Sequence, residues 1–278
     1  MTAPLFGSTE LARRIERAEA TLVASGARAA GEPAAIYLRE FGGGVASWSR
    51  DGSPFNKVAG LGFEAGVDDA TMEAVEQELF SRGSAVQVEL ANLGDPAIGA
   101  LLTQRGYRLV GFENVLGRAL AIEEVPAIAD GVAVATAGAD EFDLWLDTVV
   151  DGFAHPDDQG VASHEEFPRD VLRQVMRDLT AVEGFAHYLA RLDGAIAGGG
   201  SLRVAEGVAQ LAGAATLPAH RRKGVQSSLL AARLHDACLA GCDVAVVTTQ
   251  PGSRSQQNVQ RQGFHLLYTR AVLVKEAV

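Results

Sequence analysis

One order of elements occurs twice in this chain. Gln104-Arg105-Gly106-Tyr107 and Arg261-Gln262-Gly263-Phe264 each close a short helical segment and open an apolar strand. Ahead of each comes a strand, then a longer helix, then strands joined by glycine turns. In the C-terminal half the pattern predicts a strand over Val132 to Thr136 and helices over Asp140 to Val150 and Pro168 to Leu179. Strands follow at Phe185 to Leu192, Ala195 to Val204 and Val208 to Leu217, with turns at Asp193-Gly194 and Glu206-Gly207. A helix over Lys223 to Ala240, a Val-rich strand over Asp243 to Thr249, a short helix over Ser253 to Gln262 and one or two strands over Phe264 to Val274 complete this half. The N-terminal half predicts strands at Ala34 to Glu40, Gly44 to Ser49 and Asn56 to Phe63. A helix over Asp69 to Arg82, a strand over Ala85 to Leu90, a short helix over Pro96 to Arg105 and a strand over Leu109 to Leu116 follow. Such a repeat points to the α/β (α+β) class with two alike domains, 1–125 and 131–278, each a mixed twisted sheet flanked by helices. Between them Ile122 to Gly131 is acidic, holds Pro126 and ends in an Asp-Gly turn. The competing arrangement is one large mixed domain.

Composition narrows the partners. Lys+Arg 24 against Asp+Glu 35 gives a net charge of -11. That balance argues against nucleic acid and anionic membranes, which attract broad positive fields. No apolar run approaches the roughly 20 residues needed to span a bilayer, and Met1 to Arg14 lacks the pattern of a signal peptide. The two cysteines, Cys238 and Cys242, suit a reducing, cytoplasmic setting and are read as small buried side chains.

Against this acidic background one basic run stands out, in Ala214 to Leu230 (AATLPAHRRKGVQSSLL). A strand ends at Leu217, and Pro218 blocks further pairing. Arg221, Arg222 and Lys223 precede Gly224 and an amphipathic helix. The first N–H groups of a helix lack intrahelical partners and attract anions. Gly224 leaves the backbone open to a ligand, and Ser227 and Ser228 add hydroxyls. This arrangement suits a pyrophosphate. Neither a Walker loop nor a dinucleotide fingerprint is present, and Gly198-Gly199-Gly200 has the wrong spacing for one.

The run Thr216 to Gln226, with Arg221 and Gly224 at the signature positions, resembles the acetyl-CoA signature of GNAT-superfamily N-acetyltransferases. Gln226 stands where the family has a small residue. Gly241, the Val-rich strand and Gly263-Phe264 also fall where that family has them, so the resemblance covers about 131–278. It implies a V-shaped opening between the strands Val208 to Leu217 and Asp243 to Thr249. Acetyl-CoA is the implied cosubstrate. Its pantetheine would pair near Ala215, Thr216 and Leu217, and its pyrophosphate would meet Arg221, Arg222, Lys223, Gly224, Val225, Gln226, Ser227 and Ser228. The implied reaction is direct attack of an amine on the thioester in a ternary complex. In the N-terminal half Glu64, Asp68 and Asp69 occupy the place of the basic loop. They would repel a pyrophosphate, so 1–125 reads as a degenerate GNAT-like copy without a CoA site.

The proton-transfer groups depart from the family. Its usual Tyr falls at Val259, and its frequent Glu on the fourth strand is Gln210. Ser255, Asn258 and Tyr268 are substitute donors, and His155 is a candidate base. The loop Asp151 to Glu166, with Asp151, His155, Asp157, Asp158, His164, Glu165 and Glu166, suits a cationic acceptor or is a solvated acidic loop. Its spacing fits no metal site. Trp48, Phe55 and Asn56 either line the acceptor pocket or pack in the core. The chain is expected to act as a monomer or homodimer on a small-molecule amine or a peptide. The alternative is a CoA-binding, non-catalytic sensor or interaction protein.

Overall fold

The computed structural model describes residues 5–32, 34–121, 126–155, 159–161 and 168–277. It begins with a helix that is not among the predicted elements, α1 (Thr9–Ala30). Ser8 starts it, its Oγ accepting from the Leu11 N–H at 3.1 Å. Ala12, Ile15, Ala18, Val23, Ala24 and Ala27 form the buried stripe. Then come β1 (Tyr37–Phe41), β2 (Gly44–Trp48), β3 (Val58–Ala59), α2 (Asp69–Ser81), β4 (Val86–Ala91), α3 (Pro96–Gln104) and β5 (Arg108–Ala119). The second half holds β6 (Val132–Thr136), α4 (Phe142–Phe153), α5 (Arg169–Asp178), β7 (Phe185–Leu192), β8 (Ala195–Ala205) and β9 (Val208–Thr216). It ends with α6 (Val225–Leu239), β10 (Val244–Thr249), α7 (Arg254–Arg261) and a single last strand, β11 (His265–Lys275). Asp193-Gly194 and Glu206-Gly207 have positive φ at both residues, as tight hairpin turns require.

Among the described residues eleven strands form one sheet, in the order β1-β2-β3-β4-β11-β5-β10-β9-β8-β7-β6. The two expected sheets are therefore continuous. Each half has one parallel pair, β3 with β4 and β9 with β10. Beyond it each half borrows its next strand. β5 pairs with β10, from Val244↔Ala119 to Thr249↔Asn114. β11 pairs with β4, from Arg270↔Ala91 to Lys275↔Val86. The two borrowed strands pair with each other at the centre. An apolar strand following Gly106 or Gly263 needs an edge, and the reciprocal exchange covers the open edges of both β4 and β10.

The glycine run in β8 brings helices close on both faces. A Cβ on Gly199 would lie 2.9 Å from Val149 and 3.1 Å from Trp145 of α4, whereas one on Gly198 would lie 3.1 Å from Val225 of α6. Trp145 donates its indole N–H to the Gly200 carbonyl at 3.1 Å.

Helix α1 ties the halves together. Arg14 pairs with Asp243, and Arg203 donates to the Ala18 carbonyl at 3.0 Å. Glu16 accepts from Tyr268 at 2.6 Å and from Arg270 at 2.7 Å, all three being buried.

Candidate active site

Strands β9 and β10 pair only through Val208↔Val244, Ala209↔Ala245 and Gln210↔Val246. Beyond that point they separate. On its other side β9 carries a bulge against β8: Gly199 faces Ala215 but Ser201 faces Ala212, and Gly213 has φ +58°. The bulge bends β9 away from β10. The gap opens into a cavity of about 1130 Å³ bordered by both strands, the start of α6, α7 and the C-terminal end of α4.

At the mouth, Pro218–His220 make one tight turn, and Arg222 and Gly224 both take left-handed backbone conformations, φ +62° and +80°. A non-glycine residue there costs about 1–2 kcal/mol and points to a constrained loop. Helix α6 starts at Val225 with no side-chain cap, whereas Ser8, Asp68, Asp95 and Ser253 cap α1, α2, α3 and α7. The N–H groups of Val225, Gln226 and Ser227 precede the first helical bond, which Ser228 donates to Gly224. All three residues border the cavity.

The structure brings most of the sequence-predicted loop together. Ala215, Thr216, Arg221, Arg222 and Gly224 also border the cavity. Arg221 braces the loop, donating to the Thr216 carbonyl at 3.3 Å and to the His155 carbonyl. Gln226 is held to β9, its Oε1 accepting from Thr216 at 3.3 Å.

Three expected members stand apart. Leu217 turns its N–H to the Ala197 carbonyl at 2.9 Å. Lys223 is exposed and outside the cavity wall. Ser228 is fully buried, and its Oγ accepts from the Ala129 N–H at 3.0 Å, fastening the linker to α6. The role of Gly224 also changes. A Cβ there would lie 2.4 Å from that of Ala129, so the glycine makes room for the linker rather than for a ligand.

Of the candidate proton-transfer groups, His155 and Ser255 border the cavity, as does Asn258. His155 Nδ1 lies 3.0 Å from the Asp151 carbonyl. Tyr268 does not belong to the site: it is 3% exposed and committed to Glu16 in the core. Gln210 points the other way, to Glu19 at 3.1 Å and to Arg203. Val259 is buried in the cavity wall.

The acceptor expectations fare differently. Trp48 and Asn56 border a separate cavity of about 330 Å³, and Phe55 packs against Ala27 and Val175. None of the three lies at the large cavity. Asp151 pairs with Arg169. Asp157, Asp158, His164, Glu165 and Glu166 lie outside the described residues.

Three further cations, Arg233, Arg254 and Arg261, stand in the wall outside the basic run that the sequence marks. The last two bracket α7 seven residues apart, a spacing that places them on one helix face. At the corresponding point of the N-terminal half, the α2 start is closed by its own carboxylate. Asp68 accepts from the Thr71 N–H at 2.8 Å, which holds its pKa below the usual carboxylate range.

Residues 153–264, the span of this cavity's walls from α4 to α7, match the model of the acetyltransferase (GNAT) family. This part of the chain is therefore similar to a GNAT acetyltransferase domain. The whole fold is similar to that of a GCN5-related N-acetyltransferase from Kribbella flavida, with a TM-score of 0.66 at 20% identity over 95% of this chain and 96% of that one. It is equally similar in extent to a tandem GNAT protein from the clavulanic acid biosynthesis pathway, with a TM-score of 0.62 at 15% identity over 99% and 98% of the two chains. A GCN5-related N-acetyltransferase from Sphaerobacter thermophilus matches 74% of this chain and 66% of its own at 17% identity and TM-score 0.56. No curated protein matches the chain. Among the described residues no helix is long and apolar enough to cross a membrane.

Proposed function

We propose that the C-terminal half transfers an acetyl group from acetyl-CoA to the amine of a small molecule or peptide, by direct attack in a ternary complex. The observation that carries this is the separation of β9 from β10 beside the uncapped start of α6. Ala215 and Thr216 pair with β8 but have no β10 partner; a strand edge open on that side suits the amides of a pantetheine, and the first-turn N–H groups of α6 suit a pyrophosphate. Arg222, Arg254 and Arg261 add charge at the rim. The residues fit the cosubstrate, whose thioester supplies the carbonyl carbon for attack. In this reading His155, which borders the cavity, takes the ammonium proton directly or through water, and Ser255 donates to the departing sulfur. Residues 1–125 form the copy without a CoA site.

Two observations favour a second reading as a CoA-binding sensor: Val259 supplies no hydroxyl, and Gln210 is engaged with Glu19. Calorimetric titration with CoA and thiol release from acetyl-CoA across an amine panel separate the readings. Binding with thiol release supports transfer, and binding without release across the panel supports the sensor. Replacing Arg222 or Arg254 by Ala should weaken CoA binding about 3–10-fold each, more at low salt than at high. Unchanged affinity in both would remove the assigned rim.

A further inference from the structure

The inner wall of the cavity holds a charge that acetyl transfer does not use. Arg233 lies two turns into α6, against β8 where Gly200 leaves room: a Cβ there would be 3.2 Å from its Cζ. Its side chain is buried yet borders the cavity. Nε donates to the Leu229 carbonyl at 3.0 Å, and Nη1 to the carbonyls of Ser201 at 3.0 Å and Ala212 at 3.4 Å. These acceptors are all neutral. Among the described residues no carboxylate bonds to this guanidinium, and Nη2 donates to none of them. Arg270, buried as deeply, has Glu16, Glu19, Glu89 and Glu113 around it. A buried charge without a counter-charge is costly, and burial accordingly pulls the Arg233 pKa down to about 10. Ala212 adjoins Gly213 of the β9 bulge, so the guanidinium sits where the two strands begin to part.

We infer that Arg233 anchors a carboxylate of the bound reactants, carried either by the acyl group of the thioester or by the acceptor. The planar fork suits a carboxylate, and the ligand supplies a counter-charge that none of the described residues provides. This rests on the CoA site proposed above.

The test measures ratios in the full chain. In one arm CoA, acetyl-CoA and succinyl-CoA are titrated calorimetrically. In the other, amino acids and their carboxamides compete as acceptors of acetyl-CoA. An acyl carboxylate predicts that succinyl-CoA binds about tenfold or more tighter than acetyl-CoA, and an acceptor carboxylate predicts the same preference in kcat/KM for acids over amides. Arg233→Met should bring the ratio close to one. Arg233→Lys keeps the charge without the fork, should lower the ratio, and serves if the Met variant fails to fold. CoA binding with neither preference, or a preference that survives both substitutions, overturns the anchor alone. Failure of CoA itself to bind overturns the CoA site and the anchor with it.

Discussion

At the scale of single residues, burial sets roles that residue type does not. Tyr268 has the chemistry of a proton donor, but its hydroxyl is 2.6 Å from Glu16, a residue 252 positions away in the chain. Tyr268→Phe should cost about 1–3 kcal/mol in denaturant unfolding, because a buried carboxylate loses a donor. Thiol release per folded molecule should not change. A large loss of turnover at full folding would return Tyr268 to the site. Glu113 tests the same buried network by pH. Burial and the neighbouring Glu89, against Arg270 and Lys57, push its pKa up to about 7. A carboxyl raised in the folded state binds a proton that the unfolded chain has released, so its stabilisation is complete below about pH 4.5 and is lost as pH rises through 7. His187, half-buried among Phe142, Trp145 and Phe185, has its pKa pushed down to about 4 by desolvation and acts in the opposite sense below pH 6.5. The clean window is therefore pH 6.5 to 8. Unfolding free energy should fall there in the wild type and fall less in Glu113→Gln. Equal slopes would show that Glu113 is already ionised at pH 6.5.

At the scale of elements, glycines decide how closely helices approach. Gly224 is the case with two constraints, a φ of +80° and a contact with Ala129. Gly224→Ala should lower stability by about 1–3 kcal/mol, and adding Ala129→Gly should recover the steric part of that loss but not the backbone part. Thermal unfolding of the single and double variants checks it, and no recovery would place the conflict elsewhere. For the same reason a bulky residue at 224 is a poor probe of ligand binding, since it disturbs the linker first. Most elements were legible in the sequence. The hairpin turns at Asp193-Gly194 and Glu206-Gly207 and the helix after the basic run depend on short-range chemistry. Helix α1 was legible in principle, since its apolar and charged residues recur at helical spacing, yet it lies outside the repeat that organises the predicted elements. What its sequence did not show is that Glu16 turns inward to Tyr268 and Arg270. The cavity cations were hidden similarly, because Arg233 sits at a core position of α6 where a charge counts against the helix pattern.

At the scale of the molecule, the exchange of β5 and β11 makes the halves interdependent. Residues 126–278 alone would expose the edge of β10 and leave β11 without β4. Expressed alone, this segment should lack cooperative unfolding or aggregate, and co-expression with 1–125 should restore a complex of full-chain stability. A monomeric, cooperatively folded C-terminal half would contradict this interdependence.

The sequence by itself determined the repeat, the succession of helices and strands, and the cationic loop leading into a helix. These follow from hydrophobic period, turn residues and unpaired first-turn N–H groups, all acting over a few positions. Only the tertiary structure decided which sheet edge receives each last strand. It alone showed that Ser228 and Gly224 serve the linker, and that Tyr268 is a core residue while Arg233 faces a cavity. An apolar strand carries no mark of its partner edge, and a polar side chain carries none of its neighbours. Both are settled when long-range packing satisfies open edges and buried charges together.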